Sequence, residues 1–246
     1  MPARESRLSA VSPRPLLILT CEHGGNRIPR RFAALFRDRK AELGTHRGYD
    51  IGAARMAEIV ARTLRAPLFV AEVSRLLVDL NRSPHNPRRF SEATRGLPAA
   101  EREGIARDYY EPHRRAVEGA VAEAIGRGRR VVHVGVHSFT PVLDGVVRRA
   151  DVGFLYDPRR RTEDELCSAW RDAIARAAPS LVVRRNYPYR GVSDGFTTAL
   201  RRSYGGPVYA GVEVEVNQAR LDSQRAIDDA GRILAESLKE ALIEGA

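Results

Sequence analysis

The stretch PLLILTCEHGGNRIP, Pro15 to Pro29, decides how the chain is read. It begins with the apolar run Leu16 to Leu19 and breaks into Cys21, Glu22, His23, Gly24, Gly25 and Asn26. A short apolar run bounded by proline and a glycine pair predicts a buried strand that ends in a tight turn. Ligands and metals gather at such carboxyl ends in open α/β sheets. Glycines without Cβ atoms are expected to let backbone pass close to a bound group. His23 at this strand end is therefore a candidate ligand.

Outward from this strand, helices and strands alternate. Arg30 to Lys40 predicts a short amphipathic helix with Phe32, Leu35 and Phe36 on one side. From Ile51 onward Met56, Ile59, Val60 and Leu64 recur at helical spacing, which puts Asp50 at the helix start, where an N-cap role would account for it locally. Pro67 to Ala71 predicts a second strand. In Ser74 to Arg82 (SRLLVDLNR), Leu76, Val78 and Leu80 would share one strand face, with Arg75, Asp79 and Asn81 on the other, together with Leu77, as a wall of a polar pocket. Ser83 to Pro98 is a proline- and arginine-rich loop, and Arg102 to Gly126 a helix with His113 as a surface residue.

Val131 to Pro141 predicts a central strand buried on both faces, with His133 as a core histidine and His137 at the strand end beside Ser138. Gly153 to Tyr156 predicts a strand, Glu163 to Ala177 a helix, and Asn186 to Leu200 a turn-rich segment ending in a short helix. In the last strand, Val208 to Gln218, Val212, Val214 and Val216 share one face and Glu213, Glu215 and Asn217 the other. Two buried carboxylates in succession are costly unless paired or bound. Asp222 to Ile243 closes the chain as a helix. The alternation predicts a three-layer α/β sandwich around a mixed, largely parallel sheet. Residues 1–14 are expected to form a mobile tail and residues 15–246 one domain.

Composition mainly excludes. The 246 residues can bury a full core, and no apolar run approaches the roughly 20 residues a membrane helix needs. The net charge of +10 comes from arginines dispersed through every segment, so a nucleic-acid groove is not expected. Two cysteines, Cys21 and Cys167, fit a reducing compartment, and with no secretory h-region the expected location is cytoplasmic. Cys21 is expected to be a plain strand residue rather than a nucleophile.

The polar residues stranded at buried strand ends are His23, Asp50, His137, Glu213 and Glu215. Two imidazoles and one carboxylate form a recurrent catalytic zinc set with one position left open. Zinc there activates water and polarises a carbonyl. A further carboxylate, Glu213 or Glu215, could move the proton from water to the leaving amine.

The blocks CEHGGNRIP, HRGYDIGA, SRLLVDLNR, VHSFTP and VEVEVNQ, in this order between Leu16 and Leu221, resemble the N-formylglutamate amidohydrolase family, as a divergent branch of it. The resemblance implies a zinc-peptidase-like α/β fold that hydrolyses a small N-acyl amino acid, in the name-giving case N-formyl-L-glutamate. It further implies His23 and His137 as ligands of Zn2+ or another divalent metal, with Asp50 as the third. Glu22 and Asn26 are the alternative positions for that third ligand. Glu215 would be the base, with Glu213 beside it. Arg75, Asn81 and Arg82 would hold substrate carboxylates, with Ser138 also at the substrate. A zinc amidase or peptidase acting on peptidoglycan fragments and a catalytically inactive binding protein of the same fold are the competing functions.

Overall fold

The computed structural model describes residues 14–244, so the tail expected at residues 1–14 lies, but for Arg14, outside the described residues. The elements run β1 (Leu16–Cys21), a 3-10 helix (Arg30–Arg39) leading into α1 (Lys40–Leu43), α2 (Ala53–Leu64), β2 (Leu68–Val70), α3 (Ala99–Ile105) and α4 (Glu111–Gly126). They continue with β3 (Val131–Phe139), β4 (Val142–Leu143), β5 (Val146–Val147), β6 (Val152–Leu155), α5 (Arg161–Ala177), β7 (Val183–Arg185), α6 (Phe196–Ser203), β8 (Tyr209–Asn217) and α7 (Gln224–Glu244). The main sheet has the order β2-β1-β3-β8-β6-β7. Its first four strands are parallel; β6 pairs antiparallel with β8 and parallel with β7, so the sheet is mixed and largely parallel, as expected.

Period-two alternation sorts the central strands into two unlike faces. Leu17, Leu19 and Cys21 of β1, Val132, Val134 and Val136 of β3, and Ala210, Val212, Val214 and Val216 of β8 pack against α2, α5 and α7 in one apolar core. Each fully buried Val or Leu there stabilises the fold by about 1.5–3 kcal/mol. The opposite face receives α4 and α6 through Ile18, Val117, Val121, Val131, Phe196 and Leu200, and between these lie Thr20, His133, His137, Glu213 and Glu215. Helices therefore cover both faces in three layers.

From β1 the chain passes through α2 to β2 on one side, then returns through α4 to β3 on the other. The order reverses between β1 and β3, which opens a crevice at their carboxyl ends. His23 follows β1 and His137 lies near the end of β3, so both border it.

Several segments depart from the expected course. Ser74 to Arg82 is not a strand: apart from one isolated bridge, Arg27 to Val73, it runs in turns, with Leu77 N–H donating to Ser74 O (2.9 Å) and Asp79 N–H to Arg89 O (2.8 Å). Leu76, Leu77, Val78 and Leu80 are all buried, so no strand alternation exists; they pack with Phe32, Phe36, Ile105 and Tyr110 in a separate apolar cluster. The Arg30 helix is 3-10 rather than α, and the helix expected from Arg102 starts at Ala99 and carries a π turn at Ala106–Tyr110. Gly24 and Gly25 make room for protein, since a Cβ on Gly25 would clash with the Glu72 carbonyl and one on Gly24 would sit 2.6 Å from Val70 Cγ1. Among the described residues no helix is long and apolar enough to cross a membrane.

Candidate active site

Three side chains from three separate segments converge in the crevice. His137 Nδ1 lies 2.8 Å from Asp50 Oδ2, His23 Nδ1 lies 3.4 Å from the same oxygen, and the two imidazole centroids are 5.2 Å apart. One ligand atom from each of the three falls within 4.8 Å of the others. Asp50 is not an N-cap: α2 begins after Gly52, and no side chain caps it. Instead the Asp50 N–H donates to the His23 carbonyl (2.9 Å), which holds its carboxylate over both rings.

The outer nitrogen of each ring meets a second carboxylate. His23 Nε2 is 2.8 Å from Asp79 Oδ1, and His137 Nε2 is 3.2 Å from Glu22 Oε2. Each ring therefore lies between two carboxylates, Asp50 at Nδ1 and a second one at Nε2. Burial alone would push His137 down, but the Asp50 and Glu22 carboxylates bonded to it hold it well above the ordinary histidine value. For His23, burial and Arg75 act downward while Asp79 and Asp50 raise it, with a net rise. Asp50 and Asp79 are held below the usual carboxylate range against the upward pull of burial, Asp50 by the two histidines and Asp79 by Arg75 and His23.

The parallel register of β3 and β8 places His137 beside Glu215 and Gly135 beside Glu213. A Cβ on Gly135 would press on Glu213 Cγ and His137 Nε2, each at 3.3 Å, so glycine here leaves both side chains in place. The two glutamates differ in what they touch. Glu213 Oε1 accepts from Thr197 Oγ1 (3.0 Å) and Asn81 Nδ2 (3.4 Å). Glu215 Oε2 is buried with no hydrogen-bond partner among the described residues. Burial first, then the Asp50 and Glu213 charges, push Glu215 up to about 8 despite the two histidines.

The remaining residues singled out in the sequence divide between the site and its frame. Arg75 is tied to Asp79 Oδ2 (2.8 Å) and Asp50 Oδ1 (3.4 Å), and Arg82 Nη1 donates to the Asp194 carbonyl (3.2 Å). Asn81 Oδ1 accepts from the Phe196 N–H (2.7 Å) at the start of α6. Ser138 Oγ donates to the Ile51 carbonyl (2.7 Å) and accepts from Gln218 Nε2 (3.1 Å). Asn26 is exposed and turned away, donating to the Leu43 carbonyl (3.1 Å). Cys21 faces the apolar core on the opposite side of the sheet, and burial pushes its thiol up.

Two contributors were hidden in the sequence. Asp79 shares its segment with Arg75, but the hydrophobic pattern there suggested a strand, so its reach to His23 was not visible. His113 is no surface histidine: its side chain is 9% exposed and faces Glu22.

A cleft of about 380 Å³ opens over these groups, lined by His23, Asp50, His137, Glu213 and Glu215 below and by Arg82, Arg88 and Arg190 at its mouth. Arg88 and Arg190 form no ion pair among the described residues. His46, which also lines the cleft, is lowered first by burial and then by Arg47, Arg75 and Arg148.

The fold matches solved structures over nearly its whole length. A gene product of Agrobacterium tumefaciens is 29% identical and superposes with a TM-score of 0.81, covering 94% of this chain and 91% of that one. An N-formylglutamate amidohydrolase from Ralstonia eutropha JMP134 shares the fold at 20% identity with a TM-score of 0.66, covering 95% of this chain and 96% of that one. No curated protein sequence matches the chain. The model of the N-formylglutamate amidohydrolase family matches residues 15–221, five-sixths of the length and every residue of the converging site, and the chain belongs to that family.

Proposed function

We propose that this protein is a metal-dependent amidohydrolase that cleaves the amide of a small N-acyl amino acid, N-formyl-L-glutamate or a relative. The observation behind this is the convergence of His23, Asp50 and His137 beside buried Glu215, whose Oε2 has no hydrogen-bond partner among the described residues. The donor set suits a divalent cation. Zinc bonds of about 2.0–2.2 Å put tetrahedral ligand atoms roughly 3.3 Å apart, and the contacts of 2.8 and 3.4 Å to Asp50 Oδ2 bracket that spacing. Glu22, Asp50, Asp79, Glu213 and Glu215 are all buried. Arg75 offsets part of this negative charge, and a cation would offset more.

His23, Asp50 and His137 would hold the ion. When bound, it supplies Lewis-acid polarisation and lowers the pKa of water. Glu215 takes the proton of the attacking water and returns it to the departing nitrogen. A group raised toward neutrality is matched to both steps. Asn81 and Thr197 restrain Glu213, the neighbouring carboxyl group on the same face of β8.

In the cleft lining, Arg88 and Arg190 have no carboxylate partner among the described residues and can take those of the substrate, a task that suits the planar guanidinium fork. Arg75 is already engaged with Asp50 and Asp79, so its part is to balance the centre's charge. The cleft volume falls in the range usual for small-molecule sites. An inactive binding protein of the same fold would have no use for the unpartnered Oε2 of Glu215.

The test is metal content of protein purified without chelator, with His23→Ala and His137→Ala alongside, followed by hydrolysis of a panel of N-formyl and N-acetyl amino acids. About one zinc per chain, lost in both variants, with turnover of an acidic N-acyl amino acid, supports the proposal. Metal unaffected by both substitutions would sink it.

A further inference from the structure

We infer that Glu22 and His113 form a positioning pair that orients His137 from behind and sets how tightly the His23–Asp50–His137 centre holds a divalent cation; this rests on the metal-dependent function proposed above. The two imidazoles are backed in unlike ways. Asp79, behind His23, also meets Arg75 at 2.8 Å and Arg82 at 3.9 Å, so its charge is shared with guanidinium groups. Glu22, behind His137, makes its ion pairs with histidines, and none with an arginine or lysine among the described residues. Its Oε2 faces His137 Nε2 at 3.2 Å and its Oε1 faces His113 Nε2 at 3.9 Å.

Glu22 Oε1, His113 Nε2 and His137 Nε2 are all buried and without a hydrogen-bond partner among the described residues, so the three side chains face one another with unmet capacity. Glu22 Oε1 and His113 Nε2 are 3.9 Å apart, and an approach of about 0.7 Å brings them to hydrogen-bond distance. His113 is held in this place by its helix. It lies one turn before Val117 on the stripe with Val121 and Ala124 that α4 presents to the sheet, and its ring packs toward Phe196, centroids 6.4 Å apart. The π turn at Ala106–Tyr110 directly precedes this helix, a feature that recurs beside functional sites.

His113 Nε2–H directed at Oε1 fixes the rotamer of Glu22, and Glu22 Oε2 then accepts the Nε2–H of His137. This fixes the tautomer in which His137 Nδ1 offers its lone pair to the centre, and it raises the basicity of that nitrogen. Outer carboxylates of this kind govern metal affinity as well as ring orientation. His113 acts through Glu22, so its role is positioning.

The experiment is competition for Zn2+ against a chromogenic chelator, on the full chain, for the wild type, E22Q, H113L and H113Q. Tm of each protein without metal serves as a control for folding. We expect E22Q to weaken zinc binding by about 10–100-fold and H113L, which keeps the ring's volume but not its donor, by roughly 3–10-fold. H113Q restores a donor and should bring the affinity back to within about twofold of the wild type. If E22Q does not fold, the H113L and H113Q pair decides alone. Zinc affinity unchanged in H113L, or H113L and H113Q weakened alike, would overturn the pair while leaving metal dependence intact. A wild type that binds no zinc would overturn both.

Discussion

His133 and His137 lie four residues apart on β3, point to the same face of the sheet and are both buried, yet their surroundings are opposite in kind. His133 sits between two hydroxyls, with Nε2 2.9 Å from Thr20 Oγ1 and Nδ1 2.7 Å from Tyr209 OH. Burial lowers it to about 4, so the ring is neutral. His137, nearer the carboxyl ends of the strands, sits between two carboxylates and is held well above the ordinary value. The same residue type on the same strand face is a structural member at one level and a candidate ligand at the next. Partners decide this, and the partners come from elements distant in sequence.

The largest effect should come from breaking the upper level. His137→Ala or His23→Ala should remove bound zinc and reduce hydrolysis to background, and chelation of the wild type should do the same reversibly. Replacing His133 with Leu should leave zinc content unchanged, so a metal assay on the two single variants separates the levels directly.

Next in size is Glu215→Gln, which keeps the shape and removes the base. A loss of about 10²–10⁴-fold in kcat is expected, with zinc still bound as measured by elemental analysis. Equal loss in Glu213→Gln would move the proton transfer to the pair rather than to Glu215 alone.

The lower level should show its weight in stability. His133→Leu leaves the Thr20 and Tyr209 hydroxyls buried without their shared partner. At about 1–3 kcal/mol for each of the two orphaned groups, urea denaturation should report a loss of roughly 2–6 kcal/mol.

Titration should pull the two levels in opposite directions in metal-free protein. The raised groups, His137, His23 and Glu215, hold protons more tightly folded than unfolded. The histidines stabilise fully below their ordinary 6.5 and lose that contribution as pH rises past it. Glu215 stabilises below 4.5 and loses its contribution as pH rises through about 8. His133, lowered from 6.5 to about 4, stabilises above 6.5 and loses that contribution as pH falls toward 4. Metal-free Tm should therefore decline from neutral pH toward 9, and this alkaline decline should be blunted in Glu215→Gln. The acid-side decline should be blunted in His133→Leu. Differential scanning fluorimetry across the range reads both.

The smallest effect is expected at Ser138, beside His137 at the cleft. Its hydroxyl is engaged by Ile51 and Gln218. Ser138→Ala should cost about 1 kcal/mol of stability and change kcat/KM by only a few-fold, which steady-state kinetics would show.

Much of the architecture was legible because the signals were local. Val131 to Phe139 and Tyr209 to Asn217 are valine-rich runs, and alternation in the second marked Glu213, Glu215 and Asn217 as one face before any pairing was known. The strand-end positions of His23 and His137 were legible for the same reason. Ser74 to Arg82 was misread because its leucines and valines are buried around turns, where period two has no meaning. The short β7 and the β4–β5 hairpin carry too few residues for a pattern to register.

The sequence by itself determined which residues could do chemistry and that they stand at strand ends, since burial period and residue type are written in neighbouring positions. Only the tertiary structure decided their roles. The sheet register set His137 beside Glu215, the turn at Asp79 reached His23, and α4 brought His113 to Glu22. A side chain's charge state and freedom depend on atoms within a few ångströms, and here those atoms belong to segments dozens of residues apart.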